Sequence, residues 1–118
     1  MDAEAMKART KQFALRVVRL VASLPKTQVA SMIGGQLLDA GTSVGANYRA
    51  ACRARSRAEF AAKLGIVEEE TDESLYWMEM LVDAGIVPLR KLALLMQEGH
   101  EILSIVVSSL KTTRGRQR

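Results

Sequence analysis

The run of positions that most constrains this chain lies between Phe60 and Leu81. Phe60, Leu64, Val67, Thr71, Ser74, Met78 and Leu81 follow one another at steps of four and three residues without a break. That spacing returns side chains to one face of an α-helix and fits no strand. Ser56-Arg57-Ala58-Glu59 opens the segment as a capping box, and Gly85 stands where a left-handed glycine ends a helix. A second long segment precedes it, from about Thr27 to Arg53, with Ile33, Leu37, Ala40, Gly41, Val44, Tyr48 and Ala51 on its core face. At ~1.5 Å per residue each helix spans roughly 40 Å. The two are separated only by the break at Arg55-Ser56.

Two further helices complete the pattern. Phe13, Val17, Leu20, Val21 and Leu24 recur at three and four, and Pro25 ends that helix because it lacks an N–H and restricts the residue before it. Pro88 suits the first turn of the last helix, which buries Leu92, Leu95, Met96, Ile102, Leu103, Val106 and Leu110. Four amphipathic segments with short connections predict an all-α, antiparallel up-down four-helix bundle over residues 1–111. The tail from 112 to 118 has no apolar period and is expected to be basic and disordered.

Length and composition narrow the function classes. The chain has 118 residues, enough for one modest core. A single cysteine, Cys52, excludes an intrachain disulfide and fits a reducing cytoplasm. Asp2 and Glu4 precede any apolar run, which argues against a signal peptide, and no stretch approaches the ~20 apolar residues that span a bilayer. Charge is uneven. Residues 1–63 carry a net +7, residues 64–110 a net −7, and residues 111–118 a net +4. Basic front helices can pair with acidic back helices, or a basic patch can bind nucleic acid; both readings stand.

Gly34, Gly35, Gly41 and Gly45 each cost a helix about 1 kcal/mol relative to Ala, so another backbone is expected to pack closely there. Beside each core face of the two long helices runs a second stripe, one position away. It reads Gln36, Ser43, Asn47, Ala50 and Ala54 on one, and Glu59, Lys63, Ile66, Glu70, Glu73, Trp77 and Met80 on the other. A monomeric bundle has no need of this stripe, which points to a polar network between helices or between subunits. Glu70 and Glu73 are like charges on neighbouring turns and need donors, for which Lys63, Ser43 and Asn47 are candidates. An acid/base pair or a metal site is the competing reading of the two carboxylates, but the sequence offers no good third ligand. Cys52 with His100 lacks a group to orient the base, and Gly35 to Thr42 has neither the spacing nor the lysine of a phosphate loop. No catalytic residue, metal or cofactor is expected. Arg49, Arg53 and Arg57 cluster at the turn between the long helices, and Arg16 and Arg19 lie on the outside of the first. With Lys111, Arg114, Arg116 and Arg118 they form the candidate nucleic-acid contacts.

These motifs carry a family resemblance. FALRVVRLVASLP, QLLDAGTSVGANYRAA, SRAEFAAKLGIVEEETDESLYWMEML and EILSIVVSSLKT together resemble the bacterial four-helix-bundle proteins first noticed as reading frames in intervening sequences of 23S ribosomal RNA genes. The family pattern falls on Ser43, Gly45, Asn47, Glu59, Phe60, Lys63, Glu70, Glu73 and Trp77. Glu69 departs from it, where many relatives carry lysine, as does Arg49, where many carry glutamate. The resemblance implies a homopentameric ring. A related branch, the accessory protein of diversity-generating retroelements, partners a reverse transcriptase and binds nucleic acid through a basic surface. The resulting expectation is a non-enzymatic homo-oligomeric scaffold that contacts RNA, DNA or a nucleic-acid enzyme through basic residues. The alternative is a protein–protein assembly module with no nucleic-acid role.

Overall fold

The computed structural model describes residues 2–116 as four helices: α1 (Ala3–Ala22), α2 (Gln28–Ala51), α3 (Arg57–Asp83) and α4 (Leu89–Arg116). There is no strand among the described residues. The bundle is elongated, 48 × 21 × 20 Å, close to the roughly 42 Å length of its longest helix. Each helix packs against its neighbour in sequence, and α4 meets α1 far more sparingly.

Local chemistry sets the helix ends. The side chains of Asp2, Thr27 and Ser56 accept from the backbone N–H groups of Ala5, Ala30 and Glu59 at 2.8, 3.1 and 3.1 Å. The Glu59 carboxylate reaches back to the Arg55 N–H at 3.0 Å. At the end of α3, Gly85 adopts φ 70°. The N–H groups of Ile86 and Gly85 donate to the carbonyls of Leu81 and Val82 at 3.0 and 2.9 Å, the paired bonds of a Schellman cap.

The core follows the predicted faces. Phe13, Val17, Leu37, Val44, Leu64, Val67, Met78, Leu81, Leu92 and Ile102 are buried, whereas Leu20, Val21, Tyr48, Phe60, Met96 and Leu103 are only partly so. Thr71 and Ser74 are buried too, and each hydroxyl donates to the carbonyl one turn earlier, at 2.6 and 2.8 Å. Such bonds make a polar residue tolerable inside the core. Periodicity missed Met6, Ala30, Ala61, Leu75 and Val87, which are also buried.

Of the four α2 glycines only Gly45 meets another backbone as expected, whereas Gly34 and Gly41 are crowded by side chains. A Cβ on Gly41 would stand 2.8 Å from Val17, one on Gly34 2.8 Å from Leu24, and one on Gly45 3.3 Å from the Thr10 backbone. Gly35 has no neighbour within 4 Å, and close packing does not account for it. The boundary expected at 112 is corrected. α4 continues as helix to Arg116, because Thr113 is buried and the hydroxyls of Thr112 and Thr113 donate back to the carbonyls of Ser108 and Ser109.

Candidate interaction surfaces

The start of α1, the end of α2, the start of α3 and the end of α4 meet at one end of the molecule, around a groove of about 920 Å³ lined by Ala3, Cys52, Arg55, Arg57, Phe60 and Thr113 among others. A second groove, about 570 Å³, runs between α1 and α2 with Lys7, Lys11, Arg49 and Arg53 on it. A third hollow, about 380 Å³, gathers Arg49, Arg53, Arg55 and Lys63 around Glu59. Lys111 and Arg114 are exposed on the last turns of α4, at the same end. This end is a basic pole. Among the described residues Lys11, Arg49, Arg53, Lys63, Lys111 and Arg114 make no ion pair.

The predicted trio is thus only partly one site. Arg49 and Arg53 share two hollows, whereas Arg57 faces the terminal groove beside Arg55. Arg16 and Arg19 stand roughly 8 and 12 Å further along α1 than Lys11 and line none of these hollows. Arg116 ends α4, and Arg118 lies outside the described residues. Lys7 and Lys11 were missed by sequence reasoning. Their four-residue spacing was the available signal, but only the packing of α1 on α2 brings them opposite Arg49 and Arg53.

The polar network expected along the second stripes does not form within one chain. Ser43 and Asn47 instead satisfy carbonyls of their own helix: Ser43 Oγ donates to Asp39 O at 2.6 Å and Asn47 Nδ2 to Ser43 O at 2.9 Å. Lys63 forms no hydrogen bond or ion pair among the described residues. Among the described residues the stripe's side chain-to-side chain hydrogen bond runs from Trp77 Nε1 to Glu73 Oε1, at 3.5 Å and therefore weak. Gln36 is exposed. Asp39, and not a donor, comes near Glu70 from α2. Burial, then Glu73, Glu69 and Asp39, push the Glu70 carboxyl above its ordinary range. An acidic band therefore lies beside the basic pole.

Beyond that band the surface turns apolar: Val29, Met32 and Tyr76 are each more than half exposed, and Tyr76 packs edge-on to Trp77 with ring centroids 5.0 Å apart. Cys52 caps α2 next to Tyr48, whose hydroxyl is pushed up to about 12 by burial and by the neighbouring Cys52 and Asp2. His100 is exposed, roughly 12 Å along α4 from the Ser108 that shares the Cys52 groove, so the two are not a nucleophile pair. No group of three His, Cys, Asp or Glu residues capable of holding a metal occurs among the described residues. Nor, among them, is any helix long and apolar enough to cross a membrane.

Comparison with known proteins places this arrangement. No curated protein matches the chain. The crystal structure of a protein of unknown function from the S23 ribosomal protein family of Bacteroides thetaiotaomicron is similar to it, with 33% identity, a TM-score of 0.87, and coverage of 94% of this chain and 99% of the other. The family model described as 23S rRNA-intervening sequence protein matches residues 4–108, which is nearly the whole bundle, and the chain belongs to that family.

Proposed function

We propose that this chain is a non-enzymatic, homo-oligomeric scaffold of up-down helices whose basic pole binds RNA or DNA. The observation that carries this reading is the pole itself: Arg49, Arg53, Lys63, Lys111 and Arg114 converge on one end, and among the described residues they make no ion pair. Free surface cations of this kind gain by displacing condensed counterions from a phosphate backbone, and no sequence preference is required of them. The up-down order is supported by the meeting of alternate helix starts and ends around the terminal groove. Self-association is supported by the half-buried stripe of α2 and α3, whose polar groups find no partners across the two helices of one chain. A closed ring suits such a chain, and the resemblance to pentameric relatives makes five copies the expected number. A reverse transcriptase is one nucleic-acid enzyme that such a ring could present to its template.

The test has two readouts. Sedimentation equilibrium at micromolar concentration should give a discrete oligomer, and binding to mixed RNA and DNA should weaken linearly in log affinity against log salt. A stable monomer removes the scaffold. An oligomer with no salt-dependent binding near physiological ionic strength leaves a protein–protein assembly module in its place.

A further inference from the structure

Two surfaces of this chain carry opposite, uncompensated charge at matching spacing. α3 packs against α2 on one side and α4 on the other, and its remaining face carries Glu69, Asp72, Glu73 and Tyr76, all exposed. Glu69 and Glu73 are one helical turn apart, roughly 6 Å. Neither makes an ion pair among the described residues. On the other surface, Lys7 and Lys11 of α1 face Arg49 and Arg53 of α2 across the α1–α2 groove, again one turn apart on each helix. Ala14, Gly45 and Ala46 line the groove between them, so no bulky side chain fills the trough. Only Lys7 is partly satisfied, by Glu4 at 2.9 Å.

We infer that the α1–α2 groove of one copy receives the Glu69–Tyr76 face of α3 from a second copy. The carboxylates of Glu69 and Glu73 meet Lys11 and Arg49, and Tyr76 settles over the small residues of the trough. The joint takes up those two cations, so that Arg53, Lys63, Lys111 and Arg114 remain as the cations of the pole. The occupant is a second copy of this chain, because its exposed α3 face carries the charge complementary to the cations of the groove. The contact is heterologous: each copy offers a groove to one neighbour and a ridge to the other, which is the arrangement that closes a ring. The acidic band next to the ridge adds to the argument, since its like charges remain unrelieved in the single chain and gain a cation across the contact. This inference rests on the homo-oligomer reading above and specifies its joint.

Charge reversal in the full chain tests it. Lys11→Glu with Arg49→Glu, and separately Glu69→Lys with Glu73→Lys, should each raise the midpoint concentration of assembly at least about tenfold, because like charges then face one another. All four changes in one chain should restore assembly, since ridge and groove are then complementary again. Failure of the fourfold variant to recover, or wild-type assembly by both reversal pairs, overturns the joint while leaving an oligomer in place. A monomeric wild type overturns the joint together with the homo-oligomer reading. Helical circular dichroism checks folding. Should a reversal pair fail to fold, the neutral pairs Lys11→Gln with Arg49→Gln and Glu69→Gln with Glu73→Gln should weaken assembly and flatten its salt dependence; unchanged salt dependence again overturns the joint.

Discussion

Gly35 and Gly41 lie within two turns of each other on α2 and meet opposite surroundings. A Cβ at Gly41 would press into Val17 from 2.8 Å, whereas one at Gly35 would meet open space. Alanine improves an exposed helix interior by about 0.5–1 kcal/mol but overpacks a filled one by about 1–3 kcal/mol. Gly35→Ala should therefore raise the thermal midpoint and Gly41→Ala lower it, a difference of sign that calorimetry on the two variants reads directly. Glu70 offers a second contrast. Its folded carboxyl lies above the ordinary value of 4.5, so the folded state holds the proton more tightly than the unfolded chain. Stability then falls as pH rises through the window above 4.5. Glu70→Gln should stabilise the protein at pH 7 by about 0.5 kcal/mol, the scale of like-charge pairs on a helix, and give no gain at pH 4. Denaturant melts at both pH values check it; an equal gain at both would show that electrostatics is not its cause.

At the scale of elements, the joint between α1 and α4 is the thinnest in the bundle, and the Arg9 side chain spans it. Arg9 Nε and Nη2 donate to the two Glu98 oxygens at 2.8 and 2.7 Å, and Nη2 also donates to Glu101 at 2.9 Å. Arg9 and Glu98 are mostly shielded, at 24% and 19% side-chain exposure, so this forked pair outranks an ordinary surface bridge. Arg9→Ala should destabilise by about 1–2 kcal/mol, and a double-mutant cycle with Glu98→Ala should show coupling well above the ~0.3 kcal/mol of an exposed i,i+3 pair such as Lys7 with Glu4. A coupling no larger than that would reduce the clamp to solvated surface. The clamp also marks where sequence reasoning stops. Each helix and its buried face were legible because a three-four spacing records the phase of a helix in its own residues. The caps at Ser56 and Gly85 were legible because their chemistry is local. Arg9 and Glu98 are 89 positions apart, and their meeting depends on how α1 and α4 are rotated against each other, which no local spacing records. The same limit hid Lys7 and Lys11 opposite Arg49 and Arg53. It also lent false support to Lys63 as a partner for Glu70, since the neighbour α2 brings up is Asp39.

On the scale of the whole molecule, the sequence-level charge imbalance becomes a polarity along the bundle. Lys7, Lys11, the arginines from 49 to 57 and the basic end of α4 are folded onto one pole, while the acidic middle of α3 lies further along. This geometry decides how the pole is best tested. Deleting residues 112–118 would remove cations and also the last turns of α4, where Thr113 is buried, so lost binding and lost folding would be confounded. Neutralising Arg53 and Arg114 avoids that, because both are exposed and neither is ion-paired among the described residues. Each phosphate contact contributes about 0.7–0.9 to the slope of log affinity against log salt. Arg53→Gln with Arg114→Gln should therefore flatten that slope by about 1.5 for each subunit in contact, more in a ring that engages several subunits at once. The thermal midpoint should stay within a few degrees of wild type, as expected for exposed side chains outside any network. Titrations of a single-stranded oligonucleotide and a duplex at several salt concentrations supply the measurement. A slope that survives both changes would remove the basic pole as the phosphate contact.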